Sequence, residues 1–149
     1  RSLLPREVLA QRDGIAQATG VSAEDLPFAA ELIDVDPDEK DRWAGAAERV
    51  LRGLGMTMLV PETHRRTIGD FVNRTNIGGV LEYRVYQENA SSPSTPVPGS
   101  LAVKLLVDRR HRAGSWLANV VAHSAEHICV DLPAQLENHL LAVTPQGLV

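Results

Sequence analysis

The chain is poor in cysteine, in lysine and in long apolar runs, and each shortage removes a class of function. Cys129 is the only cysteine among 149 residues. No disulfide can form within the chain, stability must come from packing, and the usage fits a reducing cytoplasm. No run of about 18 apolar residues occurs, so no membrane-spanning helix is expected. Lys40 and Lys104 are the only lysines, and neither follows a glycine. With no phosphate loop, no G-x-S-x-G elbow and no C-x-x-C pair, the familiar ways of holding ATP or activating a nucleophile are missing. The first residue is Arg1, and no charged-then-apolar leader follows it, so we expect an internal portion of a longer polypeptide.

What is present fits one domain. A length of 149 residues allows a single real core, and 44% hydrophobic with 23% charged residues belongs to soluble globular chains. The net charge of −4 gives no general attraction to nucleic acid. Its distribution is uneven: Asp34, Asp36, Asp38, Glu39 and Asp41 crowd one stretch, and Lys104, Arg109, Arg110 and Arg112 another. The second cluster is the candidate for weak, sequence-independent DNA contact. A plain solvated face is the competing reading.

Hydrophobic spacing predicts alternating helices and strands. Leu4, Val8, Ile15 and Ala18 recur near helical spacing, weakening at Gly14 and ending by Gly20. In DPDE, Asp36 can cap a helix, Pro37 fits its first position and Glu39 falls three residues after the cap. Trp43, Ala46, Ala47, Val50, Leu51 and Leu54 then share one stripe. Gly53 and Gly55 end this helix before MTMLV, a buried strand, and Pro61 opens a helix with His64, Ile68, Phe71, Val72 and Thr75 on one side. VLEYRVY alternates, with Leu81, Tyr83 and Val85 facing inward and a polar opposite face. Residues 88–100, rich in proline and serine, read as an exposed loop. LAVKLLV reads as a strand with Leu101, Val103, Leu105 and Val107 on one face. A helix from about residue 112, the strand ICV, a helical turn after Pro133 and a tail complete the chain. The class is α/β or α+β, a single compact domain with a mixed sheet and flanking helices.

HSAEH, residues 123–127, spells the inverted zinc-protease signature, with His123 and His127 as ligands and Glu126 as base. On a helix, Trp116, Leu117, Val120, Val121 and Ser124 define an apolar arc that contains His127, with His123 at its edge. A third ligand is missing: only Asp131 and Glu137 are acidic beyond His127. The expected role of His127 is a half-buried imidazole bonded to backbone. A small metal-dependent α/β hydrolase using His123, Glu126 and His127 is the alternative function.

The stretch from Leu26 to Tyr86 resembles the central portion of bacterial SMC-like ATPases of the MukB, MksB, EptC and JetC group. Trp43, Ala46, Glu48, Arg49, Val50 and Leu51 match a W-x-x-A-x-E-R-V-L helix, and Leu59, Val60 and Pro61 match the strand ending L-V-P. Thr75, Gly79, Tyr83, Arg84 and Val85 match the glycine stretch and the strand that follows it. In the back half, Lys104-Leu105, Trp116-Leu117, Cys129-Val130-Asp131, Ala142-Val143-Thr144 and Gly147 fit in order. Where that group often has an arginine after the glycines, this chain has Val80.

The resemblance implies a hinge, the dimerisation domain at the tip of a long antiparallel coiled coil, without catalytic activity or cofactor of its own. The ATP-binding heads of such a parent lie elsewhere. It also implies a cytoplasmic, nucleoid-associated condensin-type protein acting on DNA, in chromosome organisation or plasmid defence, with other subunits as partners. From the chain itself, VLEYRVY lies between a glycine break and a loop, as a sheet edge would. Gly78, Gly79, Leu81 and Tyr83 are therefore the expected dimer-interface residues, since glycines admit a close backbone and open edges invite pairing.

Overall fold

The computed structural model describes residues 4–75, 81–88 and 94–149. Its centre is a strand buried on both faces. Strand β2, Thr57–Pro61, has all five residues buried. Successive side chains point to opposite faces of a strand, so Met58 and Val60 enter one core while Leu59 enters a second. One edge of β2 pairs in parallel with β3, Glu82–Tyr86, from Thr57↔Glu82 to Pro61↔Tyr86. The other edge is covered by Phe28, which bridges Met58, and by Pro27, whose carbonyl accepts from Leu59 N at 2.7 Å.

Two helices cover the first core. Helix α1, Arg6–Thr19, buries Val8 and Ile15. It runs through Gly14 and stops at Gly20, whose φ of 80° suits a residue without a Cβ and whose N–H closes on Ala16 O at 2.9 Å. Helix α3, Arg65–Thr75, packs on α1 and buries Ile68, with Phe71 and Val72 partly buried beside it. A short 3₁₀ turn at Glu62–His64 separates α3 from β2, so Pro61 closes the strand instead of opening the helix.

The second core lies beyond Leu59. Helix α2, Lys40–Gly55, contributes Trp43, Ala46, Ala47 and Leu51, with Val50 and Leu54 partly buried, so the expected stripe is the inward face. At about 1.5–3 kcal/mol for each large side chain buried, this face is a principal contribution to the fold. The helix starts at Lys40, later than DPDE predicts. Asp36 caps a turn instead: its Oδ1 accepts from Asp38 N at 2.9 Å and its carbonyl from Glu39 N at 2.8 Å. Local side-chain bonds of this kind compete with helix initiation. Strand β1, Ile33–Val35, pairs antiparallel with β4, Leu105–Val107. Helix α4, Gly114–Ser124, buries Leu117 and Val121. Strands β5, Ile128–Cys129, and β6, Ala142–Val143, form a third pair, parallel like β2–β3, joined through a 3₁₀ stretch at Pro133–Asn138.

Two strand readings change. LAVK is a 3₁₀ turn, Leu101–Lys104. Leu101 and Ala102 are both buried while Val103 is 54% exposed, a pattern with turn spacing instead of alternation. Leu101 N and Ala102 N donate to His127 O and Ala125 O, which satisfies their backbone without a strand partner. In β3 the face opposite Tyr83 is not wholly polar, because Tyr86 is fully buried in the second core. Its hydroxyl donates to Asp25 O at 3.5 Å, and burial pushes its pKa up to about 12.

Arg12 fastens α1 to the segment before β1. Its guanidinium donates to both Glu31 oxygens at 2.8 and 3.1 Å and to Leu26 O at 3.1 Å, and it lies 5.3 Å from the Phe28 ring centre. Glu31 also accepts from Phe28 N at 2.9 Å. Burial raises the Glu31 carboxyl, but the Arg12 fork and the Phe28 N–H outweigh it, and its pKa stands below the usual carboxylate value. A carboxyl lowered in the folded state stabilises above its unfolded pKa of about 4.3, and that stability is lost as pH falls through the folded pKa. Urea melts between pH 7 and 3 should therefore show a loss of stability below about pH 5 that Glu31→Gln reduces. An unchanged pH slope in that variant would remove Glu31 from this role.

Gly114 marks the tightest backbone approach. A Cβ there would stand 2.4 Å from Asp108 O and 2.8 Å from Arg109 Cα, contacts with main chain that no side-chain rotation relieves. Gly114→Ala should cost at least about 2 kcal/mol in urea unfolding. A cost below about 0.5 kcal/mol, the scale of an ordinary surface substitution, would show that the 108–114 turn yields easily.

Candidate functional site

Each sheet among the described residues has two strands, so each strand has one edge without a strand partner. Phe28 covers that of β2 and Ser100 that of β5, and no bridge among the described residues covers those of β1, β3, β4 and β6. Strand β3 is one of these, since β2 lies on only one side of it. Leu81 and Tyr83 are half-buried and pack into the first core, where the Tyr83 hydroxyl lies 3.3 Å from the position a Cβ on Gly69 would take. Those two side chains thus support α3, and what β3 offers outward is its main chain. Gly78 and Gly79, expected beside them, lie outside the described residues, as does part of the 88–100 loop.

Strand β6 is another, but Ala142 and Val143 are themselves buried, so what stands open there is the segment that leads into it. Its partner β5 is covered on the far side, where Ser100 bridges Ile128 and Cys129 N donates to Gly99 O at 3.0 Å. The approach to β6 is unusually apolar for a surface: Leu132, Leu140 and Leu141 are all exposed, Leu140 completely. Scattered exposed leucines are ordinary, but the adjacent pair Leu140 and Leu141, running directly into β6, is a candidate contact. Neither periodicity nor motif singles out these three leucines in the sequence; only the exposure of the 131–141 excursion does.

The ends of the described chain share one helix. Leu4 and Pro5 line a groove of about 570 Å³ against Ala44, Glu48 and Arg52 of α2. On the same helix, the position of a Gly45 Cβ lies 3.7 Å from Pro145 O, and that of a Gly147 Cβ lies 3.3 Å from Arg49 Cβ. Gly147, at φ 90°, closes a tight turn in which Thr144 N donates to Leu148 O and Leu148 N to Thr144 Oγ1.

The four cations of the basic cluster do not form one free surface. Lys104 pairs with Glu39 at 3.3 Å and stands 5.3 Å from the Trp43 ring centre. Arg110 pairs with Asp108 at 3.1 Å, and Arg112 is held between Asp25 and Glu88. The Glu88 hydrogen bond holds Arg112 still further above its ordinary pKa. Arg109 is exposed and makes no ion pair among the described residues. His111 anchors the turn: its Nδ1 accepts from Ala113 N at 2.9 Å, which leaves Nε2–H to donate to Glu24 O at 2.6 Å.

The HSAEH residues do not converge on a metal position. α4 ends at Ser124, so His127 is off the helix and the apolar arc does not reach it. The His127 carbonyl accepts from Leu101 N at 2.8 Å, but its buried Nδ1 has no partner, contrary to the expected backbone bond of the ring. His123 points outward and meets Glu126 at 3.5 Å. Among the described residues, no three His, Cys, Asp or Glu side chains are grouped to hold an ion, and the hydrolase alternative finds no support.

No protein-family model and no curated protein matches the chain. Solved structures do. The Pyrococcus furiosus Smc hinge domain with an extended coiled coil is 18% identical, with a TM-score of 0.61 over 95% of this chain and 54% of that one. The crystal structure of the Pyrococcus furiosus SMC protein hinge domain gives 18% identity and a TM-score of 0.62 over 94% of this chain and 78% of that one. An asymmetric dimer of the Geobacillus stearothermophilus SMC hinge domain gives 18% identity and 0.53 over 95% and 67%. This chain therefore spans about half the first of these, and it has the mixed α/β fold of an SMC hinge.

Proposed function

We propose that the chain is the hinge of an SMC-like ATPase of the MukB, MksB, EptC and JetC kind, a non-catalytic dimerisation domain that joins two coiled-coil arms. The observation that carries the reading is the uncovered edge of β3 and the exposed Leu140 and Leu141 before β6, together with the meeting of both ends of the described chain on α2. Helical arms continuing from Leu4 and from Val149 would leave the domain side by side, as antiparallel arms require. The Pyrococcus relative carries an extended coiled coil and the Geobacillus relative is a dimer, which supports carrying both properties over. The wider role, organising chromosomes or removing plasmids in the cytoplasm with other subunits, comes with the resemblance in sequence.

The dimer geometry follows from closure. Pairing β3 with β3 of a second copy would leave the segment entering β6 open in both copies. Pairing β3 of each copy with the segment entering β6 of the other satisfies both surfaces around one two-fold axis and ends growth at two chains. It also buries Leu140 and Leu141 of both copies. Sedimentation equilibrium at low micromolar concentration should give twice the chain mass of 16.2 kDa. The double variant Leu140→Glu, Leu141→Glu should sediment as a folded monomer. A wild-type monomer would sink the hinge reading; a dimer that survives the double variant discards β6 as the contact, and one that survives Gly79→Val discards the glycine break.

Sequence-independent DNA contact at Lys104, Arg109, Arg110 and Arg112 belongs to the same proposal, in reduced form. Carboxylates already hold three of these cations, so each chain neutralises about one or two phosphates, with a salt slope of about −1 to −2 in log K against log salt. Fluorescence titration with duplex DNA at two salt concentrations measures it. Unchanged affinity in the variant Arg109→Glu, Arg110→Glu, Arg112→Glu would remove this turn as the contact.

A further inference from the structure

His123 and Glu126, left without a role by the absence of a metal cluster, meet a third residue far away in sequence. Ser94 Oγ lies 3.2 Å from His123 Nε2, and His123 Nδ1 lies 3.5 Å from Glu126 Oε2. The Glu126 carboxylate is too far for a normal hydrogen bond to Nδ1, but its charge favours the ring hydrogen on that side, and in that tautomer Nε2 presents its lone pair to the Ser94 O–H. That is the tautomer in which an imidazole removes a proton from a serine. The serine is also held in place: its N–H donates to Asn119 Oδ1 at 2.8 Å, one helical turn before His123 on α4. Neither the alternation of strands nor the HSAEH spacing points to this contact, because it joins the Pro/Ser-rich connection to a helix 29 residues away.

We propose that Ser94 is an activated nucleophile, oriented by Asn119 and served by His123 and Glu126, that accepts an acyl group from an activated ester. In the step, Ser94 Oγ attacks the ester carbonyl as its proton passes to His123 Nε2. The new Oγ–acyl bond forms, the bond to the leaving oxygen breaks, and that oxygen departs as the alkoxide or phenolate or takes the proton from His123. No electrons are exchanged with any other reagent. His123 is 69% exposed in its side chain, so the donor arrives from solvent, and the product is a stoichiometrically acylated chain. His123 is the base. Glu126 is a positioning residue whose charge biases the ring tautomer.

The test uses the full chain with p-nitrophenyl acetate. One equivalent of p-nitrophenolate should be released per chain, with the acetyl group found on Ser94 by peptide mass spectrometry. Ser94→Ala should abolish the burst, and His123→Ala should slow it about tenfold or more, the lower range for a general base. Glu126→Gln should slow it several-fold, with Glu126→Asp restoring part of the rate. Far-UV circular dichroism and thermal melts of these surface variants verify that each is folded. Acetyl found only on lysine or the N-terminus, a burst that survives Ser94→Ala, or a rate indifferent to His123→Ala would each overturn the proposal.

Discussion

Everything in this fold is arranged around a strand that has no solvent side. A half-buried strand needs cover on one face; β2 needs it on two, and its backbone must also be satisfied along both edges, since unpaired N–H and C=O groups inside a protein cost as much as lost hydrogen bonds. Helices α1 and α3 cover Met58 and Val60, while α2 and α4 share the core on the Leu59 side. Phe28 and Pro27 close one edge and β3 the other. The parallel relation between β2 and β3 demands a crossover, and α3 supplies it. Satisfying β2 in this way moves the open edge outward by one strand, onto β3.

Much of this was legible in the residues because burial leaves periodic marks. The α2 stripe from Trp43 to Leu54 and the unbroken apolar run MTMLV each bury what their spacing says they should. Other readings fail. At Asp36, a side chain bonding to its own neighbourhood delays a helix that the cap, proline and glutamate signals all announce. At Leu101–Lys104, alternating sequence is overridden by hydrogen bonds to the segment leaving α4. At Ser124, the helix stops before the second histidine of HSAEH, and no local signal there is strong enough to say so. Propensity describes a segment by itself, and it shows neither the local bonds that decided the outcome at Asp36 nor the distant ones that decided it at Leu101–Lys104.

The site residues show the same division. Composition reveals that Lys104, Arg109, Arg110 and Arg112 are close in sequence, but their partners Glu39, Asp25 and Glu88 come from distant segments. Those pairs turn two of the four cations, Lys104 and Arg112, into ties between distant segments, while Arg110 pairs locally with Asp108. At this exposure each tie is a weak contributor alone, about 0–1 kcal/mol. Their value lies in position, because Asp25 precedes Phe28 and Arg112 precedes α4. Leu132, Leu140 and Leu141 are the reverse case: ordinary leucines in sequence, conspicuous only once the fold leaves them uncovered.

The placement of both chain ends on α2 has a mechanical consequence. Tension applied through Leu4 and through the Thr144–Leu148 turn enters the molecule along one helix, which is anchored by Trp43, Ala46, Ala47 and Leu51 in the second core. Such a load slides α2 across a broad packed surface, so that many contacts resist together. Of the short strand pairs, β5–β6 stands nearest the load, because Val143 runs directly into Thr144.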